Sequence, residues 1–111
     1  MKATKIETMP ADREMDALID SKIFNMVNVS TGTPWFESDL IPHYSTDITA
    51  AFEVVNKIGK LGFLWNLQNA ENGRVNGYYC FVYVGEKIYK SSADTASLAI
   101  CRAALIATIG E

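Results

Sequence analysis

The chain has 111 residues, of which 49% are hydrophobic and 21% charged, and its formal net charge is −3. This length fits one domain with a modest core, and the composition is that of a folded chain rather than a disordered one. The negative charge argues against general DNA or RNA binding, which usually shows a basic excess. A small anionic ligand remains compatible with it, because a few local cations and amides suffice to hold one.

The sequence shows no secretion signal and no apolar stretch long enough to cross a bilayer. Its two cysteines, Cys80 and Cys101, have neither metal-ligand spacing nor the spacing of a redox pair. We therefore expect buried free thiols in a reducing cytoplasm, and no bound metal or cofactor. We expect no DNA or RNA partner and no membrane partner.

The first half of the chain predicts helices after a loose start. Residues 1–10 are polar with scattered apolar side chains, so a flexible arm is expected there, followed by one domain over residues 11–111. Proline and acidic residues open a helix from about 11 to 22, with apolar side chains at helical spacing. Apolar and polar residues alternate loosely over residues 24–29, so a short strand is one possibility there.

The clearest amphipathic helix begins after Ser45-Thr-Asp47, which offers several N-cap residues. Apolar side chains follow at i, i+3, i+4, i+7 and i+10 from Ile48. Gly59 or Gly62 is expected to end this helix.

The second half predicts three strands and a last helix. Residues 63–67, 78–84 and 87–91 follow one another with short connections, which favours an antiparallel meander. A helix over about 94–109 comes next, with Asp94 as its expected N-cap. It is apolar almost all round, so we expect burial by its own sheet or by another subunit. Arg102 is its only charge and needs a partner, which is a carboxylate, a carbonyl, water or an anionic ligand.

Strand 78–84 carries an unusual density of aromatic residues. Alternation places Tyr79, Phe81 and Tyr83 on one face and the remaining four residues on the other. The first set either packs under helices or a neighbouring subunit, or forms a platform that stacks a purine ring. Trp65 on the preceding strand fits either arrangement.

Both helix starts present amides and hydroxyls at a positive dipole end, where phosphate binds well. Ordinary capping is favoured for the two aspartates, whereas the hydroxyls of Ser91, Ser92 and Thr95 are candidate ligand contacts. Arg74 and Arg102 are the best cationic candidates. Four lysines, Lys57, Lys60, Lys87 and Lys90, are interpreted as a solvated face.

No catalytic signature is visible. The only histidine is His43, and it lacks a nearby nucleophile in the sequence. The chain also has no glycine-rich phosphate loop and no metal-ligand cluster. We therefore expect no catalytic residue and no metal-binding residue.

Two separate segments resemble one family. The stretch His43-Tyr-Ser-Thr-Asp-Ile-Thr-Ala-Ala-Phe-Glu-Val-Val55, with Gly62-Phe63 after it, and Ala93-Asp-Thr-Ala-Ser-Leu-Ala-Ile-Cys-Arg-Ala-Ala-Leu105 resemble the phage ABA sandwich domain family, over residues 12–109. The resemblance implies a small phage or prophage protein of α+β class. It further implies an α/β/α sandwich, in which a small antiparallel sheet of three strands, with a fourth left open, packs with three helices.

Proteins similar to this family include the Thoeris anti-defence proteins, which sequester cyclic ADP-ribose isomers; some also hold cyclic oligonucleotides. They assemble as homo-oligomers with pockets at subunit boundaries. The resemblance thus implies a non-enzymatic sponge for a cyclic nucleotide signal in the cytoplasm of an infected bacterial host. It also implies a homo-oligomer with pockets at its interfaces, and Arg102 is the residue that it carries over. With those from the residue patterns, the candidate ligand-binding residues are Arg102, Arg74, Phe81, Tyr79, Tyr83, Trp65, Ser91, Ser92 and Thr95.

Two other functions remain open at this stage. A protein–protein interaction module without a small ligand would use the exposed aromatic residues. An enzyme that cleaves the nucleotide would use His43 as its base.

Overall fold

The computed structural model describes residues 3–24, 41–69 and 77–109. Within them the order is α1 (Ala3–Glu7), α2 (Arg13–Lys22), α3 (Ile48–Lys60), β1 (Leu64–Asn69), β2 (Tyr78–Val84), β3 (Lys87–Ala93) and α4 (Ala96–Ile109). The strands form one antiparallel sheet in the order β1-β2-β3. The predicted α+β sandwich with a three-stranded meander is confirmed. The open strand over 24–29 and the candidate Arg74 lie outside the described residues, apart from Phe24.

The helix ends follow from local chemistry. Asp12 and Asp47 are N-caps whose carboxylates accept hydrogen bonds from the amides of Met15 and Thr49, at 3.1 and 2.9 Å. Of the two glycines expected to end α3, Gly62 does so: it has φ +94°, a conformation that side chains with a Cβ disfavour.

The last helix is central. One side of α4 packs on β2 and β3, and its other sides meet α3, α2 and α1. Nine of its residues are buried within a single chain. Its uniform apolarity is therefore satisfied by the chain's own elements, and an interface with another subunit is not needed to explain it.

The start of the chain is packed in part. Residues 3–7 form α1, a fourth helix beyond the three expected, and α1 contacts α4. Ile6 and Met9 are buried, so these two side chains anchor the stretch to the core, whereas Lys5, Glu7 and Thr8 are exposed. Two isolated apolar residues in a polar stretch carry no periodic signal, and their burial depends on the surface that α4 offers.

Candidate functional site

The register of the sheet separates the aromatic residues of β2 from its core residues. Cys80 and Val82 are fully buried on the face that α4 covers, and Tyr78 packs against the same core. Tyr79, Phe81 and Tyr83 lie on the opposite, outer face and are partly exposed. Among the described residues no helix covers this outer face, so the packing that the sequence left open for these rings is not supplied by α1 to α4.

Trp65 does not join those rings. It pairs with Val82 across β1 and β2, so it lies on the helix side of the sheet. There its ring meets Phe52 of α3 edge-on, with centroids 6.4 Å apart. Trp65 therefore lies on the opposite face of the sheet from Tyr79, Phe81 and Tyr83. The sequence did not decide this, because the face that a side chain of β1 shares with β2 depends on the register of the two strands.

Arg102 is bound by backbone carbonyls. Its Nε and Nη2 donate to the Met9 carbonyl oxygen, at 3.0 and 2.7 Å, and Nη1 donates to the Ser92 carbonyl oxygen at 2.8 Å. Burial lowers the pKa of Arg102, while the charge of Asp94 acts in the opposite direction. In the described part of the chain no carboxylate forms a salt bridge with it. The side chain thus joins the segment after α1 to β3 and still carries its positive charge.

Three predicted residues meet at one cavity. A cavity of about 240 Å³ is lined by Tyr79, Ser92 and Arg102, which come from β2, β3 and α4. Five further residues complete the lining: Gly77, Tyr78, Ala93, Asp94 and Leu98. The hairpin brings Tyr79 opposite Ser92, and the first turns of α4 bring Arg102 beneath them.

Gly77, which lines the cavity just before β2, lies close to the backbone of β3. A Cβ built on it would lie 2.8 Å from the carbonyl oxygen of Ala93, which is backbone and cannot move aside easily. Only glycine allows the chain to enter β2 at this distance. No sequence pattern predicts this role of Gly77, because it depends on the pairing of β2 with β3.

A second cleft of about 450 Å³ shares one lining residue with the cavity. It is lined by Glu7, Thr8, Lys90, Ser91 and Ser92, so Ser92 borders both. The ammonium of Lys90 lies 4.7 Å from the ring centroid of Tyr79 and 5.9 Å from that of Phe81. The interpretation of Lys90 as part of a solvated face missed this position, which strand alternation and register together reveal.

The other candidates take different places. Thr95, not Asp94, caps α4: its hydroxyl accepts from the Leu98 amide at 3.2 Å, so the cap prediction was wrong by one residue. The Ser91 hydroxyl is buried without a hydrogen-bond partner. Phe81 and Tyr83 extend along the outer face away from the cavity. The resulting candidate site contains Tyr79, Ser92, Arg102 and Lys90.

The segment Tyr44-Ser45 has a structural role that sequence reasoning missed. Asp16 of α2 accepts hydrogen bonds from the Ser45 amide and hydroxyl, at 2.8 and 2.7 Å, and from Arg13 at 2.9 Å. The Tyr44 hydroxyl donates to Asp20 at 2.9 Å. This buried network joins α2 to the segment before α3, and burial raises the pKa of Asp20.

Reactive groups are few in the described residues. Cys80 and Cys101 are buried free thiols, as expected, and burial raises the pKa of the Cys80 thiol to about 12, which disfavours the nucleophilic thiolate. His43 is exposed and lines neither the cavity nor the cleft. Within residues 3–24, 41–69 and 77–109 no group of His, Cys, Asp or Glu side chains is placed to hold a metal.

None of the helices described there is long and apolar enough to span a membrane.

Comparison with known proteins agrees with the two segments singled out above. The chain resembles a phage protein from Bacillus cereus ATCC 14579, whose crystal structure was determined at 2.0 Å, with a TM-score of 0.67 and 29% sequence identity over 88% of this chain and 91% of that one. Among curated proteins the sequence has no match. The model of the phage ABA sandwich domain matches residues 7–105, a span from the end of α1 to the last turns of α4, and the chain belongs to that family.

Proposed function

We propose that this phage protein binds a cyclic nucleotide immune signal, a cyclic ADP-ribose isomer or a cyclic oligonucleotide, and sequesters it in the host cytoplasm without cleaving it. The observation that carries the proposal is the cavity between β2, β3 and α4. It gathers an aromatic ring, a hydroxyl and a cation, from Tyr79, Ser92 and Arg102. These are the three kinds of group that recognise a base, a ribose and a phosphate.

The charge of Arg102 suits a phosphate. Three of its five N–H groups donate to carbonyls, which leaves one on each terminal nitrogen. The carbonyls fix the guanidinium without cancelling its charge, so it is a preorganised cation. Asp94 also lines the cavity, and its carboxylate favours ligand hydroxyl or amino groups beside it over a second phosphate.

The size of the site favours a ligand that spans both hollows. Ligand pockets usually measure about 300–1,000 Å³, so the 240 Å³ cavity alone holds only part of a dinucleotide. The second cleft, which shares Ser92 with the cavity, measures about 450 Å³ and is lined by Lys90. A cation–π contact at an exposed site is worth about 0.5–1 kcal/mol, so a base can displace Lys90 from Tyr79 at low cost.

The residues that line the cavity and the cleft are suited to binding a ligand rather than to cleaving it. A hydrolase needs a nucleophile activated by a base at the reacting atom. Neither hollow contains a histidine or a cysteine side chain. The remaining acidic groups, Asp94 and Glu7, line different hollows.

The test is direct titration of the protein with cyclic ADP-ribose isomers and with cyclic dinucleotides and trinucleotides, followed by heat denaturation and chromatography of the released ligand. Saturable uptake of one of these compounds, with intact ligand recovered, is expected. Uptake followed by a cleaved product would refute sequestration. No uptake of any of them would refute the proposal, and a stoichiometric host protein captured instead would favour an interaction module without a small ligand.

Two lysines of β3 provide matched variants. Lys90→Gln removes the cation beside Tyr79, whereas Lys87→Gln removes an exposed charge at the first residue of the strand, opposite Val84. We expect Lys90→Gln to weaken binding several-fold, with a smaller salt dependence, and Lys87→Gln to bind like the wild type. Arg102 is less suitable for this test, since its loss also breaks the contacts with Met9 and Ser92.

A further inference from the structure

Asp94 lines the cavity and has no structural partner there. It is exposed, and the N-cap role that the sequence suggested for it belongs to Thr95, whose hydroxyl accepts from the Leu98 amide. Among the described residues Asp94 takes part in no hydrogen bond and no salt bridge. Its carboxylate therefore keeps its acceptor sites for a molecule that enters the cavity.

Gly77 leaves space beside that carboxylate. A Cβ on Gly77 would lie 3.9 Å from the Cα of Asp94. The register places Tyr79 opposite Ser92, so Gly77 and Asp94, two residues beyond each of them, lie at the same end of the hairpin. All four residues line one cavity. A planar base can lie against the Tyr79 ring with one edge beside Asp94, because no side chain at Gly77 separates the two.

The chemistry of a carboxylate discriminates between base edges. A carboxylate accepts hydrogen bonds at two oxygens and donates none. Among the four bases of RNA, guanine alone carries two adjacent donors, N1–H and the 2-amino group, on its pairing edge. Adenine and cytosine place a single amino donor next to a ring nitrogen acceptor, and a carboxylate repels that acceptor. Uracil has one N–H between two carbonyls.

We propose that Asp94 makes the cavity selective for guanine. The base stacks on Tyr79, its two donors bind the Asp94 carboxylate, and a phosphate of the same ligand meets Arg102. This inference rests on the proposed nucleotide binding. Within that proposal it favours cyclic oligonucleotides that contain guanine over cyclic ADP-ribose isomers, whose base is adenine. A bidentate contact separates the right base from the wrong one by about 5- to 150-fold.

Cyclic di-GMP and cyclic di-AMP test the selectivity, because these compounds share one sugar–phosphate ring and differ only in the base. Isothermal titration calorimetry on the full chain measures both dissociation constants. Since Asp94 is exposed, we expect the lower part of that range, with cyclic di-GMP binding at least about fivefold more tightly. Equal affinities, tighter binding of cyclic di-AMP, or uptake of a cyclic ADP-ribose isomer alone would overturn the selectivity and leave the proposed function standing.

Asp94→Asn tests whether the carboxylate is the cause. An amide presents one acceptor and one donor side by side, which match the 6-amino group and the N1 acceptor of adenine. This variant should therefore bind cyclic di-GMP at least about fivefold more weakly than the wild type and cyclic di-AMP more tightly. Thr95 still caps α4 in it, so its thermal melting curve should match that of the wild type.

Glu86→Gln is the matched control. It removes the same charge from an exposed position in the turn between β2 and β3, at the end of the hairpin opposite to Asp94, and should keep the guanine preference. An Asp94→Asn protein that also keeps this preference, or a Glu86→Gln protein that loses it equally, would overturn the inference. A wild-type protein that takes up no cyclic nucleotide at all would instead refute the proposed function itself.

Discussion

Replacement of Asp16 by alanine tests whether the buried network holds α2 to the segment before α3. Asp16 is 1% exposed and Ser45 is fully buried, so the alanine variant leaves the Ser45 amide and hydroxyl without their acceptor. It also removes one of the partners of Arg13, which is partly exposed and also donates to the Ile41 carbonyl oxygen, so this loss counts for less.

The expected loss follows from these contacts. A hydrogen bond to a charged group contributes about 1.5–3 kcal/mol, and Asp16 accepts two such bonds from Ser45. We therefore expect Asp16→Ala to lower the free energy of unfolding by about 3–5 kcal/mol. That is a large part of the ~5–15 kcal/mol typical of a domain. Asp16→Asn keeps an oxygen for Ser45 and should lose less.

Urea unfolding followed by circular dichroism and tryptophan fluorescence measures these differences, with unchanged m-values as the condition for comparing them. Glu53→Ala is the control, because Glu53 is exposed on α3 and should change stability by under about 0.5 kcal/mol. An Asp16→Ala protein within about 1 kcal/mol of the wild type would refute the reasoning, and the network would then be a by-product of packing.

Three further predictions concern other positions. Thr95→Ala should cost about 1 kcal/mol in urea unfolding, as expected of a lost N-cap, whereas Asp94→Ala should cost much less because it does not cap α4; the reverse order would restore Asp94 as the cap. Gly77→Ala should destabilise by about 1–3 kcal/mol and weaken ligand uptake, since its Cβ would meet the Ala93 carbonyl oxygen; a wild-type melting curve would contradict this. Burial raises the pKa of Asp20, so its ionisation opposes folding as pH rises from the ordinary carboxyl range through that raised pKa. The stability of Asp20→Asn relative to the wild type should therefore increase across that interval, and a constant difference in unfolding free energy would exclude the effect.

Local patterns were sufficient for the elements themselves. The apolar spacing from Ile48 onward and the glycine at position 62 define α3, and the aromatic run defines β2 at its observed bounds. The same reasoning missed the cap of α4 by one residue, because Asp94 and Thr95 are both good caps. The choice between them depends on where β3 ends, and β3 runs to Ala93 rather than to Ser91.

The candidate site was only partly predictable. Tyr79, Ser92 and Arg102 were all singled out, but no sequence signal shows that they share a cavity. Lys90 was overlooked because an exposed lysine on a strand is ordinary until its neighbour is known to be an aromatic ring. For Trp65, the sequence left both faces open, and the pairing with Val82 decided for the helix side.

The sequence by itself determined the fold class, the order of the elements and the family, because these depend on periodicity and on short motifs that each segment carries alone. The tertiary structure decided the features that depend on contacts between residues far apart in the chain. It assigned backbone carbonyls to Arg102, buried α4 within one chain and placed β1 at one end of the strand order. A charge on an apolar helix indicates only that the side chain needs a partner. For Arg102 one partner is the Met9 carbonyl, 93 positions away in the chain.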